Sequence, residues 1–201
     1  MQFKEVVFGV SIMLCLDSCG HIVYAKNKPR SESILTWDAE PDSFLGLKFG
    51  QTLESQIPEC QNEYDILNSS KSCWKSFGQG LRPINNPPTL GVLYEAYGHV
   101  VNGTLEGMTI EFDHYNYLKM LDMFREKYGL PTLEKKSLFQ ATGGVKVQGN
   151  VYHWVGKNIE IIFSEYGGTI DKGEINVFTK DFKIGRSEEN RRNTNTYKDN
   201  L

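Results

Sequence analysis

From residue 44 onward the chain is written in short apolar runs that mostly recur at every second position, interrupted once by a stripe recurring at every third and fourth. The first period predicts half-buried strands and the second an amphipathic helix. Residues 92–97 and 105–112 read as two strands joined around Asn102-Gly103, a pair that favours the positive φ angles of a tight hairpin turn. Met108, Ile110 and Phe112 then share one face, and Thr109, Glu111 and Asp113 the other. The helical stripe follows at Tyr117, Leu118, Leu121, Phe124 and Tyr128, with Lys119, Asp122, Arg125 and Glu126 filling the polar side. Asp113 or Asn116 is positioned to cap its start, and Gly129 followed by Pro131 ends it.

A second hairpin is predicted from 151–155 and 159–163 across Gly156-Lys157, a register that sets Trp154 opposite Ile159, His153 opposite Glu160 and Tyr152 opposite Ile161. On that reading Tyr152, Trp154, Ile159, Ile161 and Phe163 face the core, and His153 pairs with Glu160 on the solvated face. A strand at 44–49, a helical turn from Thr52 stopped by Pro58, and a strand at 174–179 complete the pattern. The segment from Cys60 to Pro88 is irregular and rich in Asn, Ser, Gly and Pro. The expected class is α+β: an antiparallel sheet packed by one main helix, with an irregular loop to one side.

The N-terminus changes the context of that domain. Residues 6–16 (VVFGVSIMLCL) form an apolar run behind Lys4, too short to span a bilayer and closed by Asp17, Ser18 and His21, the layout of a secretory signal peptide. Cleavage after Ala25 gives a signal of residues 1–25. A competing reading takes Leu16-Asp17-Ser18-Cys19-Gly20, which resembles the lipobox of bacterial lipoproteins apart from Asp17, as a lipoprotein signal of residues 1–18 with lipidation at Cys19. Either route leaves Cys60 and Cys73 as the pair available to an oxidising compartment, and a disulfide between them is expected. Residues 26–41 read as a linker, 42–184 as one domain, and 185–201 as a disordered tail with almost no apolar content.

Charge and chemistry narrow the function only slightly. The chain carries 22 basic and 25 acidic residues, and removing residues 1–25 leaves 21 and 23, a balance that argues against nucleic-acid binding. Contact with a membrane is expected only through a lipid on Cys19. No GxSxG, HExxH, phosphate loop or GxGxxG is present, and neither a metal site nor a cofactor is expected. The residues best placed for acid-base chemistry are Glu111, Asp113 and His114, where a strand runs into a helix. The more economical reading makes them a solvated face and a cap. His99, beside a glycine, reads as a loop residue. Tyr64, Trp74 and Phe77 crowd the loop around the cysteines and suit recognition, since aromatic rings on a braced loop give contact area at low entropic cost, although the more economical reading has them cover the sheet edge as a satellite core.

The plan of a signal followed by a small α+β module with one disulfide resembles small bacterial envelope proteins, among them inhibitors and immunity proteins. What this implies is a periplasmic, secreted or envelope-attached, non-enzymatic module that binds an unidentified protein partner in the envelope. A small envelope hydrolase and a structural envelope protein without a tight partner are the competing expectations.

Overall fold

The computed structural model describes residues 37, 39–61, 70–77, 80–140 and 144–185. The expectations for the signal and Cys19, for most of the linker, for Tyr64 and for the tail from residue 186 lie outside the described residues.

Among the described residues the elements are ordered β1 (Ser43–Phe44), β2 (Leu47–Lys48), β3 (Cys73–Trp74), β4 (Leu81–Asn85), β5 (Tyr94–Val101), β6 (Thr104–Asp113), a 3₁₀ turn (His114–Asn116), the main helix α1 (Tyr117–Tyr128), β7 (Leu133–Gln140), β8 (Lys146–Val155), β9 (Ile159–Ser164) and β10 (Lys172–Thr179). The first two strands form a small hairpin, and the other eight form one sheet in the order β3-β4-β5-β6-β10-β9-β8-β7. Each neighbouring pair is antiparallel. Two four-stranded meanders therefore meet at β6 and β10 in the middle, and α1 carries the chain from that middle strand to the far edge. The class is α+β, as the pattern predicts, and Cys60 and Cys73 are bonded with their Cα atoms 5.2 Å apart. Among the described residues no helix is long and apolar enough to cross a membrane.

One side of the sheet and the buried face of α1 make the core. Phe124 meets both Trp154 and Phe163 at ring distances of 6.2 and 5.5 Å, and Phe44 of the small hairpin closes on it from outside at 6.1 Å. The Asn102-Gly103 turn is formed with both φ angles positive. Gly129 ends α1 at φ 78°, and its carbonyl accepts the indole N–H of Trp154 at 2.9 Å.

Several expectations are corrected by long-range contacts. Leu118 is 68% exposed and Met120 takes its place in the buried stripe, because the helix presents the Tyr117–Leu121–Phe124–Tyr128 line to the sheet with Met120 on its flank. No side chain caps the helix start at Asn116, nor the 3₁₀ turn at Asp113. The second hairpin pairs Trp154 with Ile161 and Tyr152 with Phe163, two residues beyond the expected register, which keeps every side chain on its predicted face. The turn moved because the carboxylate of Glu40 accepts the backbone N–H groups of Lys157, Asn158 and Ile159. Gly156 serves that contact by its size, since a Cβ there would lie 2.5 Å from the Glu40 carboxyl carbon. Residues read as linker are thus anchored: Glu40 caps a turn, and the buried Trp37 donates its indole N–H to the carbonyl of Tyr128 at 2.8 Å.

Candidate functional site

A helix on one side of an antiparallel sheet leaves the other side to water or to a partner. Directly opposed residues share a face, so the strand registers spell out this second face row by row. One row runs Glu95–Glu111–Glu174–Ser164–Val151–Lys135 across β5, β6, β10, β9, β8 and β7. The next runs Pro83–Tyr97–Thr109–Asn176–Ile162–His153–Leu133. A third begins at Phe77, bridged to Leu81, and continues through His99, Gly107, Phe178 and Glu160.

The first row brings three carboxylates side by side. Tyr97 donates its hydroxyl to Glu95 at 2.6 Å, and that bond, burial and the nearby carboxylates push the phenol up to about 12. Asn176 donates to Glu174. Glu111 stands between the two outer carboxylates, and its carboxyl is held above the ordinary range by partial burial first, then by Glu174 and Glu95. Lys172 works in the opposite direction, but its ammonium is bonded to Asp113 at 2.9 Å. Among the described residues no group of three or more His, Cys, Asp or Glu side chains is arranged to hold a metal ion.

Behind this row the polar groups are connected in one direction. Thr109 has a single hydroxyl proton, which it gives to Asn176 Oδ1 at 2.7 Å, so it accepts the N–H of His99 Nε2 at 2.8 Å. His99, Thr109, Asn176 and Glu174 form a chain of donors ending on a carboxylate, and His99 belongs to β5 rather than to a loop. The other face of His99 meets Phe178 and Phe182 at 5.4 and 5.3 Å, and Phe182 lies in a helical turn over residues 180–185. Phe178 in turn covers Gly107, where a Cβ would stand 2.4 Å from its ring.

His153 corrects the expectation of an exposed pair: it is only 9% exposed. Its Nδ1 is 2.8 Å from Glu160, whose second oxygen accepts from Lys183 of the helical turn, so the chain after β10 folds over this corner. Burial, and then Lys135 and Lys183, lower the affinity of the imidazole for a proton.

The three residues singled out for acid-base chemistry have separate partners. Glu111 belongs to the carboxylate row and Asp113 to Lys172, while His114 leaves the sheet with its ring between those of Tyr117 and Tyr166, and its Nε2 lies 3.6 Å from Glu165. Glu165 is itself fixed by the backbone and side-chain N–H groups of Asn150 at 2.8 and 2.7 Å. Of the loop aromatics, Trp74 is 6% exposed and part of the core, with the Arg82 guanidinium over its ring. Phe77 is 69% exposed and lies in the same row as Leu81 and His99, on the sheet face opposite α1. Nothing in the sequence singles out Glu95, Glu174 or Tyr97. Their strands are legible, but the β5–β6–β10 order that sets them beside Glu111 has no local signature.

What fold and face define is a class: an α+β protein whose antiparallel sheet is covered on one side and carries a carboxylate row on the other. No known protein family, curated protein or solved structure matches the chain.

Proposed function

We propose that the protein is an exported, non-enzymatic module that binds another protein of the cell envelope, as an inhibitor or immunity protein does, and that the carboxylate row on the sheet face opposite α1 belongs to its contact surface. The carboxylate row Glu95–Glu111–Glu174 carries this reading. Like charges directly opposite one another weaken a sheet, so the row costs the free protein stability that a basic partner surface returns on docking. Phe77 and Tyr97 on the same face supply the aromatic area typical of interface centres. Export rests on the leader-like residues 6–16 and on the Cys60–Cys73 disulfide, the chemistry of an oxidising compartment. The competing hydrolase built on Glu111, Asp113 and His114 has no support in their geometry, because each is engaged with a different partner.

The test is capture of a partner from a periplasmic or envelope extract on immobilised protein, followed by affinity measurement with the isolated partner. The double variant Glu111→Gln/Glu174→Gln should still melt cooperatively by circular dichroism, at or above the wild-type temperature, and lose at least tenfold in affinity, about 1.4 kcal/mol or more. Wild-type affinity should also fall as salt is raised from low ionic strength, because the Debye length shortens. Unchanged affinity in the double variant, or the absence of any stoichiometric partner, would overturn the proposal.

A further inference from the structure

We propose that the groove between the β1–β2 hairpin and the C-terminal half of α1 is a binding site for a single-chain amphiphile with an anionic head, of the fatty-acid class. The groove has a volume of about 410 Å³ and is walled by Phe44, Leu45, Leu90, Met123, Phe124 and Tyr128. That size lies within the roughly 300–1,000 Å³ of ordinary small-molecule sites, which are likewise mostly apolar. Its walls are fixed before anything enters. Gln56 grips Lys48 of β2 through both backbone groups, at 2.6 and 3.0 Å. On the opposite side Tyr94 donates its hydroxyl to the carbonyl of Pro88, and Lys119 binds the carbonyl of Gly91 at 2.7 Å.

The hairpin tip carries the second observation. Its turn is Leu45-Gly46, with φ angles of 51° and 80°. A bulky leucine in the left-handed region is strained where asparagine or glycine would sit easily, and such strain gathers at ligand clamps. Here it places an apolar side chain at the wall of the groove.

The polar groups at the groove select the head. Ser43 gives its hydroxyl to Asp42 at 2.9 Å. The exposed Lys127 pairs with no carboxylate among the described residues, and its ammonium lies 5.2 Å from the centre of the Tyr128 ring. An apolar wall beside an ammonium that has no carboxylate partner among the described residues is complementary to an alkyl chain ending in a carboxylate. At roughly 30 Å³ per water-sized atom, the groove holds about a dozen heavy atoms, the size of decanoate.

Isothermal titration of the purified protein with decanoate, below its micellar concentration, should give saturable one-to-one binding. Lys127→Gln should weaken decanoate about three- to fivefold, the scale of an exposed ion pair, and leave decanol unchanged. Met123→Trp should fill the groove and abolish binding of both, with the circular-dichroism melting transition retained. The absence of saturable binding to the wild type, equal binding by Met123→Trp, or equal affinity for decyltrimethylammonium, whose head is cationic, would overturn the proposal.

Discussion

Replacing Glu111 by glutamine should make the protein more stable at neutral pH and no more stable in acid. The side chain is flanked across the strands by Glu95 and Glu174. Each like-charge pair of this kind costs on the order of 0.2–1 kcal/mol, and the attraction to Lys172 offsets part of it on the scale of an exposed ion pair. The balance is a gain of about 0.5–1 kcal/mol for Glu111→Gln. Its pH dependence follows from the proton affinity of the folded state, where the carboxyl titrates above its ordinary value of 4.5. Between the ordinary and the raised value the native state holds more protons than the unfolded one, so native stability falls as pH rises through that window. Glutamine removes the loss. Thermal melts of wild type and variant should therefore coincide near pH 3.5 and diverge by about 1–4 °C at pH 7, the shift expected for a chain of this size. A variant less stable than wild type at pH 7, or a difference independent of pH, would refute the reasoning. Because the same change should weaken partner capture, stability and binding are predicted to move in opposite directions at one residue.

Trp154→Ala should destabilise the domain by about 3–5 kcal/mol in chemical denaturation, because the indole is fully buried and holds the carbonyl that ends α1. Trp74→Ala belongs to the same class, a core loss of about 3–5 kcal/mol rather than a silent surface change, and a folded variant of wild-type stability would contradict its burial. His153 should make the protein acid-sensitive: its proton affinity is lowered on folding, so as pH falls below the ordinary 6.5 the unfolded chain takes up the proton first and stability declines. Urea midpoints at pH 7.5 and 5.5 should show that decline in wild type and much less of it in His153→Gln. Removing the Cys60–Cys73 disulfide as a double serine variant should cost about 3 kcal/mol, and thiol labelling of the denatured, unreduced protein should find neither cysteine.

What could be read from the chain was local. The β5–β6 hairpin announces itself through Asn102-Gly103 and the Met108–Ile110–Phe112 alternation, and α1 through its stripe and Gly129. The edge strand β7 was missed because most of its residues are exposed, so LEKKSLFQ carries no alternation to detect. β4 was hidden by Pro83, whose ring sits on a strand with a short partner beyond it. The second hairpin kept its faces but not its register, since Glu40, far away in sequence, decides where the turn falls. His153 reads as solvated until the turn at 180–185 covers it, and whether Trp74 binds or packs stays open until β3 joins the sheet. The candidate face suffered most, because rows across a sheet are made by strand order, and strand order is a property of the whole chain.

That order has a consequence for how the molecule comes to exist. Among the described residues β10 is the last strand in chain order, yet it lies between β6 and β9 in the middle of the sheet. Until residues 172–179 are in place, β6 and β9 each lack the neighbour that β10 supplies, and their backbone edges on that side are unpaired. Such edges recruit other chains, and pairings distant in sequence close slowly. The sheet is therefore most open to other chains while β10 is unpaired, and shortening the chain into β10 removes its centre instead of trimming its rim.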